Sequence, residues 1–113
     1  MFKKFSLQIP LDIDNSFELV KQSGEEIVSW GASSLSEENY YLEWKQSFWS
    51  LTGTSLISVT MKRKEDELTD VAVVIHKPMQ IVDPLGICYR VFRKLEKAIE
   101  KNYALLQQED ESE

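Results

Sequence analysis

Cysteine and histidine are almost missing from this chain of 113 residues, which has one of each, Cys88 and His76. A single cysteine excludes an intramolecular disulfide, and one cysteine plus one histidine without local ligand spacing does not make a zinc site. Long apolar runs are missing too: no stretch approaches the length that spans a bilayer, and residues 1–13 alternate polar with apolar where a signal peptide would be continuously apolar. Together with a lone thiol on an apolar helix face, which suits a reducing compartment, this predicts a cytoplasmic protein without a membrane partner. There is no internal repeat and no low-complexity interior. Basic charge is in deficit, the formal net charge being −6, but Glu109, Asp110, Glu111 and Glu113 supply four of those charges, which leaves −2 for the body. That acidic end has no apolar residue to offset its ordering entropy, so residues 108–113 read as a disordered tail on a single domain of residues 1–107.

What the chain does have is a core. Its residues are 42% hydrophobic and include five Phe, four Tyr and three Trp, enough for one domain of this length. The longest apolar stripe lies near the C-terminus, where the spacing predicts a helix over residues 83–107. Asp83 suits the N-cap, Pro84 the first helical position, and Val82 with Ile87 a hydrophobic staple. Cys88, Phe92, Leu95, Ile99, Asn102 and Leu106 recur at steps of four and three, widened by Val91, Ala98 and Tyr103. Such a helix is about 36 Å long against roughly 17 to 20 Å for a usual strand, so its last turns should overhang the sheet it covers.

Upstream the period changes from element to element. Phe5, Leu7, Ile9, Leu11 and Ile13 alternate with Ser6, Gln8, Pro10 and Asp12, a strand that Pro10 confines to an edge or stops. Asn15 followed by Glu18 fits a capping box for a helix over residues 16–28, in which Phe17, Val20, Gly24 and Ile27 share a face and Gly24 allows a close approach to the sheet. Gly31 then serves as a stop. A hairpin of residues 32–35 and 40–47 follows, with Tyr40, Leu42, Trp44 and Gln46 pointing inward, and then a second hairpin of residues 54–63 and 69–77. There the inward sets are Ile57, Val59, Met61 and Val71, Val73, Ile75. Strands joined by short turns pair antiparallel, and two helices with one stripe each need a common face. The expected fold is α+β, in the order β-α-β-β-β-β-α, with a curved antiparallel sheet covered by the long C-terminal helix.

This order, with Trp30-Gly31 closing the first helical region and Asp83-Pro84-Leu85-Gly86 opening the last helix, resembles the TATA-binding-protein-like topology. It also resembles reduced START-like or polyketide-cyclase-like helix-grip domains. The resemblance covers nearly the whole chain at the level of topology and implies a site between helix and sheet. It carries over no catalytic or binding residue.

Chemistry is hard to assemble from these residues. Cys88 and His76 could act together only if the fold brought them into contact, Glu43 is the best single acid, and Thr52-Gly53-Thr54 lacks the Lys-Ser/Thr ending of a phosphate loop. Glu37-Glu38 and Glu65-Asp66-Glu67 lack the glycine and alternating ligands of a calcium loop. Arg90, Arg93, Lys94, Lys97 and Lys101 make the last helix locally basic, but the acidic balance of the chain opposes a nucleic-acid partner. No catalytic residue, metal or cofactor is therefore assigned. The expectation is a noncatalytic binding module that recognises an apolar small molecule or a protein segment at the helix-sheet groove, lined by Trp30, Tyr40, Trp44, Phe48 and Trp49. The alternative is an interaction protein that self-associates as a homo-oligomer through Tyr103, Leu105 and Leu106 at the overhanging end of the helix, and an enzyme comes third.

Overall fold

The computed structural model describes residues 2–46, 54–77 and 86–111. The elements run β1 (Phe2–Ile9), α1 (Ile13–Glu25), β2 (Trp30–Ser36), β3 (Tyr41–Gln46), β4 (Ser55–Glu65), β5 (Leu68–His76) and α2 (Ile87–Glu111). The strands form one open antiparallel sheet in the order β1-β5-β4-β3-β2. The first strand thus pairs with the last, and β1 and β2 are the two edges. This is the α+β order and antiparallel sheet expected from the sequence.

Alternation decides which face is buried. Leu42, Trp44, Ile57, Val59, Met61, Val71, Val73 and Ile75 all point to one side, where they pack with Phe17, Val20, Cys88, Val91, Phe92, Leu95 and Ile99 of the two helices in a single core. Both helices therefore lie on the same face, α1 over β2, β4 and β5, and α2 over β5 and against α1. The inward set expected for each hairpin is the set that is buried, except for Tyr40, which lies in the turn before β3 and is only half-buried. Val74 and Ala72, apolar but on the opposite phase, are half-buried on the outer face.

Three local expectations need correction. Helix α1 begins at Ile13, and its N-cap is Asp12, not Asn15: the Asp12 carboxylate accepts from the Asn15 N–H at 3.3 Å and from its side-chain amide at 2.6 Å. Pro10 ends strand pairing at Ile9, so Ile13, which continues the strand's alternation in sequence, is buried on the helix instead. The helix also stops at Glu25, short of Val28, which is fully exposed. Gly31 is not a stop signal; it lies inside β2, opposite Lys45. Gly24 does bring α1 close to the sheet, with the Trp44 ring directly beneath it.

Helix α2 keeps its buried stripe from Cys88 to Asn102 and then runs on to Glu111, so residues 108–111, expected in a disordered tail, are helical. The expected cap residues Val82, Asp83 and Pro84 lie outside the described residues. Among those described, Gly86 precedes the helix with φ 63°, a left-handed conformation that glycine adopts without the Cβ penalty, and its carbonyl accepts from the Arg90 N–H at 3.1 Å.

Candidate functional site at the edge of the helix and sheet

Of the aromatic residues expected to line a groove, Trp30, Tyr40 and Trp44 fall among the described residues. Trp44 is 2% exposed beneath Gly24, and Trp30 leans on it with ring centroids 5.7 Å apart while its indole N–H donates to Gln46 Oε1 at 3.1 Å. Tyr40 holds the turn before β3. It sits at φ 51°, which is costly for a bulky residue, and is fixed there by its hydroxyl donating to Asp14 Oδ1 at 2.8 Å and by an edge-on contact with Phe17. The same hydrogen bond to a carboxylate pushes the Tyr40 phenol above its ordinary pKa. Phe48 and Trp49 lie outside the described residues.

Nor do the candidate reactive groups converge. His76 is on the outer face of the sheet, stacked on Phe2 with ring centroids 4.1 Å apart, whereas Cys88 is wholly buried in the core on the other side. Glu43 accepts from the hydroxyls of Ser33 and Tyr41, and the second bond raises the Tyr41 phenol above its usual value. It is a carboxylate tied to its own sheet. Among the described residues no group of three or more His, Cys, Asp and Glu could hold a metal ion, and no helix is long and apolar enough to cross a membrane.

What the structure does offer is a groove of about 220 Å³ between the β1 edge and α2, lined by Leu7, Gln8, Ile9, Pro10, Glu96, Ile99, Glu100 and Tyr103. Each side has a reason to be there. Phe5 and Phe92 stack at 4.7 Å and 10°, which fixes α2 over β1, and the groove lies one helical turn further on. Its apolar floor is Leu7, Ile9, Ile99 and the ring of Tyr103. Its rim is acidic: Glu96 pairs with Arg93, and Glu100, whose side chain is 65% exposed, lies 3.9 Å from the same guanidinium. Larger depressions lie on the outer face of the sheet, near Lys4 and Asp70, and beside Trp30 at the β2 edge. This groove lies between sheet and helix.

A feature that sequence reasoning passed over closes the far end of the core. Gln46, Ser55 and Lys77 fall on the inward phase of β3, β4 and just past β5, side by side, and all three are buried. The Lys77 ammonium donates to Ser55 Oγ at 3.2 Å and Thr54 O at 3.5 Å. A second polar contact joins the helices: the Asn102 amide donates to Ser23 Oγ at 3.0 Å and Glu26 Oε2 at 3.1 Å. Beyond it the apolar stripe has no seat, and Leu105 and Leu106 are 46% and 40% exposed.

No protein-family model matches the chain, and no curated protein sequence matches it. Solved structures do. The crystal structure of Ara h 8.0201 superposes with a TM-score of 0.67 at 10% identity, over 96% of this chain and 98% of that one. The di-domain ARO/CYC BexL from the BE-7585A biosynthetic pathway gives 0.66 at 10% identity over 95% of this chain, which spans about half of it, 47%. TTHA0849 from Thermus thermophilus gives 0.58 at 11% identity, over 94% and 99%. At these identities the likeness is one of fold. It is the helix-grip half of the expected resemblance that these structures carry.

Proposed function

We propose that this chain is a noncatalytic binding module that takes an apolar group, from a small molecule or a protein segment, in the groove between β1 and α2. The supporting observation is the groove itself, an apolar floor under an acidic rim between β1 and α2. Its volume of about 220 Å³ is below the range of roughly 300 to 1,000 Å³ that houses drug-sized ligands, which favours a side chain or a small aromatic. Trp30, Tyr40 and Trp44 support the site from the core in this reading.

The test uses the neutral fluorescent probe N-phenyl-1-naphthylamine, since an anionic probe would meet Glu96 and Glu100. Saturable enhancement with dilute protein, lost at least about tenfold in Tyr103→Glu while circular dichroism is unchanged, is the expected result; a tenfold loss corresponds to about 1.4 kcal/mol. Absence of saturable enhancement, or equal enhancement in the variant, would refute it.

A second reading, self-association through the overhanging end of α2, is favoured by the exposure of Leu105 and Leu106. If it holds, replacing both with Glu abolishes any concentration-dependent sedimentation; a variant that self-associates like the wild type rules it out.

A further inference from the structure

We propose that the protein segment seated in this groove is β1 of a second copy of the chain, added antiparallel to β1 about a two-fold axis through Ser6, so that two five-stranded sheets become one. The proposal rests on the groove being a binding site, as argued above, and names its occupant.

The edge of the sheet supports this pairing. Among the described residues β1 has β5 on one side and no strand on the other, so alternate backbone N–H and C=O groups along it point outward, ready to pair. A strand added there brings its inward side chains beneath α2, into the groove. Only registers that set inward residues opposite inward residues keep the faces matched. Centring on Ser6 does so, and pairs every residue from Lys3 to Ile9.

Charge selects the register. Lys3 and Lys4 are both exposed on the edge strand, and such lysines block pairing wherever they face each other. In the Ser6-centred register neither faces a lysine, and each has a carboxylate beside the residue it opposes. Lys3 stands opposite the partner's Ile9, under the rim held by the partner's Glu100, a carboxylate whose only ion pair among the described residues is the 3.9 Å approach of Arg93. On the outer face Lys4 stands opposite the partner's Gln8, which in each protomer donates to Asp70 at 2.9 Å. Phe5 meets the partner's Leu7 over the groove floor. Centring on Phe5 would instead put Lys3 beside Glu96, already paired with Arg93. Centring on Leu7 would leave both lysines outside the pairing.

The two-fold axis makes the register testable with one residue. Residues directly opposed across an antiparallel pair have Cα atoms about 4.5 to 5.5 Å apart, inside the roughly 4.4 to 6.8 Å that a disulfide spans. Ser6→Cys should therefore cross-link to itself on mild oxidation into a dimer on a non-reducing gel; native Cys88, 0% exposed, does not compete. Lys4→Cys lies about 14 Å from its own copy in this register, at 3.4 Å per residue, and should stay monomeric. In solution the wild type should shift from monomer to dimer with concentration in sedimentation. Lys3→Glu should weaken dimerisation about tenfold or more, and Lys3→Glu with Glu100→Lys should restore it.

Cross-linking of Ser6→Cys no faster than Lys4→Cys overturns the proposal, as does a wild type that stays monomeric up to roughly 1 mM, beyond the range of most specific interfaces. Probe binding by dilute protein reports on the groove alone. A chain that binds the probe but never dimerises refutes the second copy and leaves the groove to another occupant, and a chain that does neither refutes both readings.

Discussion

The replacement of Gly24 by alanine isolates one contact on which the packing of α1 depends. A Cβ at this position would stand 2.2 Å from Trp44 Cζ2, 2.5 Å from Cε2 and 2.6 Å from Cη2. Non-bonded carbons rest at about 3.5 to 4.0 Å, so helix or ring must retreat by roughly 1.3 Å. The ring has little freedom to do so: Trp44 is 2% exposed and leans on Trp30, itself held to Gln46. Overpacking of this kind costs about 1 to 3 kcal/mol, and a displacement of this size belongs at the upper end. Against it stands the helix propensity of alanine, about 1 kcal/mol better than glycine. The net expectation is a loss of about 2 kcal/mol, or a fall in Tm of about 8 °C for a domain of this length. Urea unfolding followed by tryptophan fluorescence and circular dichroism measures it. The double variant with Trp44→Leu should recover part of the loss, giving a coupling energy of at least about 1 kcal/mol. Gly24→Ala as stable as the wild type, or more so, would mean that α1 does not rest on the Trp44 ring at all.

The other predictions concern polar contacts that hold the helices. Asn102→Ala should cost about 1 to 3 kcal/mol, because it removes the amide that donates to Ser23 and Glu26; amide exchange that speeds up more after residue 102 than in β4 would show that the contact anchors α2. Asp12→Ala should cost about 1 kcal/mol at neutral pH by removing the N-cap of α1. The side-chain hydrogen bond from Asn15 holds the Asp12 carboxyl below its ordinary pKa. Its contribution is therefore present above the usual value of about 3.9 and lost as pH falls through the lowered one. Wild type and Asp12→Ala should converge in Tm on acidification, and a constant gap would contradict the assignment.

How much of this could be read from the sequence follows from how local each signal is. The strand faces were legible because β-branched residues at a period of two, such as Ile57, Val59 and Val73, leave one side to bury. Gln46 was legible as inward for the same reason. Ser55 and Lys77 lie on that phase too, yet residue type hid them: a lysine at a strand end suggests solvent until the pairing with β4 shows that it is buried. The start of α1 was misjudged because alternation continues past Pro10 to Ile13, where a capping aspartate had already turned the chain. The groove was legible only as a topological expectation. Its residues come from two elements some ninety positions apart, so no local pattern joins Glu96 and Glu100 to Leu7 and Ile9.

The position of the groove has a physical cause. A helix with its side chains is about 10 Å wide, and five strands at about 4.8 Å spacing span roughly twice that, so two helices side by side cover this sheet once with nothing to spare. Helix α1 takes the side of β2 to β4, fixed by Gly24 on Trp44, and α2 is pushed toward β5 and the β1 edge, fixed by Phe92 on Phe5. The inner face of β1 is then only partly roofed, and Leu7 stays half-buried although it lies on the core phase. A sixth strand at that edge would finish the burial of Leu7 and Tyr103 and use the outer backbone groups of β1, which no strand among the described residues pairs. An apolar ligand would do the first and not the second, which is why a strand, and in particular one with a lysine to meet Glu100, satisfies more of this surface than a small molecule can.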